Sequence, residues 1–152
     1  IIIILSFFLC IGCVEDETVD VTVMPDITTN GADTFGCLVD GWLYVGGRYT
    51  PVCILGCARP SIYFDYDEEN NVMNVSVFVA LKNELSFRIQ NPEENKTTVY
   101  TNAIFNSEEQ DNGQVTITRF DKKAHIISGQ FSGGRITNGR FDVHYVSHDY
   151  EQ

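Results

Sequence analysis

The chain has 152 residues, of which 43% are hydrophobic and 12% aromatic, enough for one packed domain and too apolar for wholesale disorder. Acidic residues number 21 and basic residues 10, a formal net charge of −11. That balance argues against a nucleic-acid binder, which needs Lys and Arg to neutralise phosphates, and against adhesion to anionic lipid through a polybasic face.

The chain opens with an apolar run from Ile1 to Val14 in which Ser6 is the main interruption. The run is shorter than the roughly 20 residues that span a bilayer. It has the length of the apolar core of a secretory signal, about 7–15 residues. No initiator Met and no basic region precede it, so residues 1–12 read as a signal segment whose start lies before Ile1. Gly12-Cys13 closes the run, and Glu15-Asp16-Glu17 follow. This resembles a bacterial lipoprotein signal, cleaved before a Cys that then takes lipid, and Cys13 is the expected lipidation site. Leu9 lies one place further back than in the usual motif, and Cys10 stands where Leu is expected. The alternative is a buried N-terminal strand with two core cysteines. The abrupt change from apolar to acidic residues weighs against it.

Residues 13–32 read as the lipidated Cys and an acidic tether. Between Val14 and Gly31 there are acids, Pro25 and several Thr, but no base. Such a segment repels itself and stays extended. About 20 residues at 3.3–3.6 Å each would reach roughly 70 Å. Acids just behind the Cys also resemble the signal for display on the outer face of the outer membrane in Bacteroidetes lipoproteins.

A β domain is expected over residues 33–152. Phe35, Cys37 and Val39 alternate, and Asp40-Gly41 then precedes Trp42-Leu43-Tyr44-Val45, a strong hairpin signal. Ile62, Phe64 and Tyr66 alternate up to a polar turn at 67–71. Met73, Val75, Val77 and Val79 share one strand face, and Leu85, Phe87 and Ile89 share another. Thr98–Phe105 is β-rich and ends in a polar loop, Asn106–Gly113. Val115 and Ile117 alternate with Thr. Phe120-Asp121-Lys122-Lys123 turns the chain into His125–Phe131, and Asn138-Gly139 launches Phe141, Val143 and Tyr145. About eight to ten short strands with this cadence predict a single all-β antiparallel sandwich, with a closed β-barrel as the alternative. No stretch has a sustained helical period with caps.

Thr34–Leu43 is similar to the opening of a family of Bacteroidetes envelope lipoproteins known only as a domain of unknown function. Gly113–Thr118, Ile126–Phe131 and Thr137–Asp142 resemble that family's closing strands. The resemblance covers both ends of the domain and implies an envelope-attached β domain. It brings no catalytic residues.

Once the signal is removed and Cys13 is lipidated, Cys37, Cys53 and Cys57 remain as disulfide candidates in an oxidising compartment. Cys37 shares the apolar face of Phe35 and Val39. Cys53 and Cys57 are too far apart in an extended strand to pair, at roughly 13 Å, unless Gly56 turns the chain.

The sequence has no nucleophile elbow, zinc-protease helix or phosphate loop, and no catalytic residue, metal site or cofactor is assigned. His144 and His148 have helix-chelation spacing but fall in a strand pattern. Asp65, Asp67, Glu68 and Glu69 read as turn acids rather than as a Ca²⁺ loop. Trp42, Tyr44, Tyr49 and Tyr63 are candidates for an aromatic sugar-stacking platform, against the plainer reading as core residues. The expected function is therefore that of a non-enzymatic lipoprotein of the bacterial envelope, at the outer membrane or cell surface. It would meet the membrane through a lipid anchor and bind a glycan or protein partner. The alternative is a glycan-acting hydrolase using paired carboxylates such as Asp65 or Asp142.

Overall fold

The computed structural model describes residues 16–50, 60–80 and 83–147. The described residues form eleven strands and no helix. In chain order they are β1 (Thr34–Val39), β2 (Trp42–Val45), β3 (Ile62–Asp67), β4 (Val72–Ala80), β5 (Asn83–Gln90) and β6 (Lys96–Phe105). There follow β7 (Glu108–Glu109), β8 (Gly113–Asp121), β9 (Ile126–Gly133), β10 (Ile136–His144) and β11 (Val146–Ser147).

The all-β expectation holds, and the strands curl into a half-barrel, an architecture between the sandwich and the closed barrel. All the strands belong to a single curled sheet, in the order β11-β3-β4-β5-β6-β8-β9-β10-β1-β2, with β7 on β6. Alternation of apolar and polar residues has the same period in one rolled sheet as in two stacked ones, so the sequence pattern does not separate them. β11 lies at the β3 end of the curled sheet. Beyond Tyr145 the chain of β10 continues as β11, which pairs in parallel with β3 at Val146↔Asp65 and Ser147↔Tyr66. The chain that leaves β10 thus reaches β3, while the path itself ends at β1 and β2. All other pairings are antiparallel.

The inward-facing residues fill this roll. Phe131 is the hub, with ring centroids 5.1 Å from Phe87, 5.4 Å from Phe35 and 6.1 Å from both Tyr100 and Phe141. Rings at these distances favour tilted and edge-on contacts, which add to the hydrophobic gain. Two glycines make room for the rings. A Cβ on Gly139 would stand 2.5 Å from the Phe131 ring, and one on Gly129 would stand 2.9 Å from Phe141. At the end of the roll that carries the β3–β4 and β8–β9 turns, Tyr66, Phe120 and Tyr145 form a second aromatic group.

Local turn chemistry follows the sequence closely at Asp40-Gly41, where φ is 52° and 82° as a two-residue hairpin demands. It departs at Asn138-Gly139. The turn between β9 and β10 lies earlier, at Gly134-Arg135, and Asn138 (φ 51°) sits in a bulge within β10.

Residues 16–33 also depart from the sequence reading. Over its described part the acidic segment is no free tether. It runs along the sheet exterior as an arm. Asp16 N–H donates to the Arg48 carbonyl at 2.8 Å. Met24 and Pro25 cover Gly36, whose missing side chain makes space for them. Arg140 Nη1 donates to the Pro25 carbonyl at 3.1 Å, and Arg119 Nη1 to the Thr29 carbonyl at 2.5 Å. The packed body therefore includes the described arm from Asp16 on.

Candidate functional site

The arm is fastened at one carboxylate. Asp142 stands on the outer side of β10 between Phe141 and Val143, both of which face inward. The arm covers it so fully that it is only 1% exposed. Its oxygens accept five hydrogen bonds. Four come from the arm: the Thr28 hydroxyl at 2.6 Å and the N–H groups of Asn30, Gly31 and Ala32 at 3.0, 2.9 and 3.1 Å. The fifth is the Ser128 hydroxyl of β9 at 2.6 Å. Burial pushes this carboxyl up, but the Ser128 and Thr28 hydroxyls and the Ala32 and Gly31 N–H groups outweigh it and hold the group at about 2. Gly31 supplies the positive φ (77°) that turns three consecutive N–H groups toward one anion. One place further on, Asp33 accepts the His144 backbone N–H at 2.8 Å and lies 3.1 Å from its Nδ1.

Between the arm and the wall near β2 and β3 lies a groove of about 1150 Å³. Its floor is apolar, with Phe35, Val45 and Ile62, and Asp16 and Asp20 stand on its rim. Each rim carboxylate is committed locally. Asp16 accepts the Thr18 N–H and hydroxyl, and Asp20 accepts those of Thr22. These bonds hold both carboxyls below their ordinary range.

The residues singled out from sequence are dispersed. Cys13, Cys53, Cys57 and His148 lie outside the described residues. Cys37 is a free thiol with no exposure, so a bridge through Cys37 is not made. Its inward position on β1 buries it in the core, which pushes its thiol up to about 12. The four platform aromatics do not share a surface. Tyr44 faces inward and packs on Phe105 with centroids 5.0 Å apart. Trp42 takes the same side of β2 at the rim and is 74% exposed. Tyr63 alternates with the core residue Phe64 and so takes the outer side of β3. Tyr49 lies beyond β2, with the Arg48 guanidinium 5.8 Å from its ring. Asp67 caps its own turn through the Asn70 N–H and side-chain amide at 3.0 and 2.8 Å. Among the described residues no group of three or more His, Cys, Asp or Glu is placed to hold a metal.

Sequence reasoning missed the clasp. Thr28-Thr29-Asn30-Gly31 has turn composition, but nothing local says that its N–H groups meet a carboxylate more than 100 residues away. In comparisons with known proteins, no family model matches the chain, and no curated protein or solved structure matches it.

Proposed function

We propose that the chain is a bacterial envelope lipoprotein, anchored through lipid on Cys13, whose β body is a non-enzymatic binding module acting through its exterior. The observation that carries the reading is Asp142. As a partner in a hydrolytic carboxylate pair it would need a free oxygen facing a cleft. Both of its oxygens are instead taken up by the arm and Ser128. The filled interior supports the same reading, because the aromatic hub occupies the space that a ligand would need inside the roll. The likeness of Thr34–Leu43 and the closing strands to Bacteroidetes envelope lipoproteins fits an outer-membrane or surface location.

The docked arm changes the mode of anchoring. Only Val14 and Glu15 separate Cys13 from the first described residue of the body. Three chain steps reach at most about 11 Å. The body is therefore held close to the bilayer instead of standing off on a long tether. Membrane fractionation and intact-mass measurement of the wild type and Cys13→Ala test this. The wild type is expected in the membrane fraction with added lipid mass, and the variant without either. A variant that keeps both overturns the reading.

A further inference from the structure

We propose that the groove between the arm and the β2–β3 wall is a docking site for an extended segment of a partner protein in which Lys or Arg alternates with aliphatic residues. Charge complementarity makes the first argument. Asp16, Asp20 and Asp26 line the groove from the arm, and no Lys or Arg is among the described residues that line it. The Thr18 and Thr22 bonds to Asp16 and Asp20 all end on Oδ1. Oδ2 of each accepts nothing among the described residues, which leaves it for an ammonium or guanidinium donor. Asp20 is held ionised by the Thr22 hydroxyl and N–H and, more weakly, by Arg48, which is not among the lining residues. Asp33, the fourth carboxylate of the lining, is already engaged by His144. The net charge of −11 draws a cationic partner toward this surface and repels an anionic one.

The apolar part of the groove makes the second argument. Phe35, Val45 and Ile62 form the floor, and Val23 of the arm, which also lines the groove, is 59% exposed. Aliphatic side chains laid against Val23 and Ile62 would remove apolar surface from water on both partners. Side chains of an extended segment alternate between its two sides. Basic residues can therefore face the carboxylates while aliphatic ones face the floor.

Other occupants match less of the groove. Its volume of about 1150 Å³ lies above the range of about 300–1,000 Å³ usual for a small-molecule pocket. A small cation would leave the apolar floor wet. A second copy of the chain brings the same charge of −11 to an acidic rim.

This inference rests on the binding-module reading, which it deepens, and does not depend on lipidation. The test is fluorescence anisotropy of dye-labelled hexapeptides titrated with the full chain in neutral detergent micelles. Alternating Lys–Val is expected to bind. Lys–Ser, which keeps the charge, should bind about tenfold more weakly, and Glu–Val should not bind. Asp20→Asn combined with Asp26→Asn should weaken Lys–Val binding about tenfold, since Asn keeps the oxygen that accepts the Thr22 N–H but loses the charge. Val23→Ser, at an exposed position, should weaken it about threefold and carries the test if circular dichroism shows the double variant misfolded. Glu93→Gln combined with Glu109→Gln removes the same charge from exposed positions outside the groove and should leave binding unchanged. No binding of Lys–Val, equal binding of Lys–Ser, or equal weakening by the Glu93 and Glu109 pair overturns the proposal. Lys–Val binding untouched by the groove variants also overturns it but leaves the module reading intact, because the peptide then sits elsewhere on the exterior. Self-association abolished by the Asp20 and Asp26 pair, with no peptide bound, would overturn it in favour of a second copy of the chain. Loss of lipidation with peptide binding intact would overturn the anchor and leave the groove standing.

Discussion

The Thr28 hydroxyl donates to Oδ2 of Asp142 at 2.6 Å across 114 residues of sequence. This bond belongs to a set in which the arm is held by β10, the last long strand among the described residues. Asp142→Asn keeps the shape but turns one oxygen into a donor aimed at donors. Charged hydrogen bonds contribute about 1.5–3 kcal/mol each, and their loss leaves buried N–H groups unpaired. A destabilisation of about 2–4 kcal/mol in urea unfolding is expected. Hydrogen exchange should locate the damage. The amides of Asn30, Gly31 and Ala32 lose protection, while those of Ile127 and Phe131 keep theirs under native conditions. Unchanged protection at Gly31 would mean that the arm is held by other contacts.

The same carboxylate sets an acid limit. Its folded value is about 2, below its ordinary 3.8. A depressed carboxyl adds stability that is fully present above the unfolded value. That stability declines as pH falls below it and is gone once the folded value is passed. Arm release should therefore develop between about pH 4 and pH 2. Gly31 amide exchange followed over that range, corrected for intrinsic exchange rates, reads it out. In Asp142→Asn this step should be missing.

Gly139→Ala and Gly41→Ala separate two reasons for glycine. At Gly139 the new methyl would meet the Phe131 ring, which other core rings hold in place. Overpacking of this kind costs about 1–3 kcal/mol, and the upper part of that range is expected. At Gly41 a Cβ would meet nothing within 4 Å, but φ is 82°. Only backbone strain operates there, and about 1 kcal/mol is expected. Thermal unfolding of the two variants should rank Gly139→Ala as the more damaging.

Much of the fold was legible because each strand solves a local problem. Val72–Ala80 alternates in sequence, and its inward residues Met73, Val75, Val77 and Val79 are all buried. Asp40-Gly41 carries its own turn geometry. What was not legible depends on partners remote in sequence. β11 is two residues long and earns its role only by meeting Asp65 and Tyr66 of β3. The bulge at Asn138 shifts register in a way that Asn-Gly alone does not specify, since the same pair serves as a hairpin turn elsewhere. The arm has the composition of a linker, and only the buried Asp142 makes it part of the body. The dispersal of the aromatic candidates has a related cause. Tyr44 has the same residue type as a surface platform, and its direction was set by its cross-strand partner Cys37.

Cys37 should be chemically silent in the native protein. Burial removes it from reagents and holds its thiol up to about 12, so almost no thiolate forms at neutral pH. In a variant carrying Ser at the other four cysteines, labelling by a thiol reagent is expected to be slow until denaturant is added. Fast native labelling would place Cys37 on a surface that the packing around Phe35 and Val39 does not leave open.

Trp42 offers a direct optical reading of the rim, because it is the only tryptophan in the chain. It stands exposed at the rim, beside the hairpin whose Asp40 accepts Arg135 Nε at 2.9 Å. Its emission should be that of a water-exposed indole. Quenching should be more efficient with caesium than with iodide, since the anionic surface attracts one ion and repels the other. Trp42→Ala should alter stability by no more than about 0.5 kcal/mol, as for an exposed side chain with few contacts. A blue-shifted emission protected from caesium would mean that Trp42 is packed against the body rather than held in water.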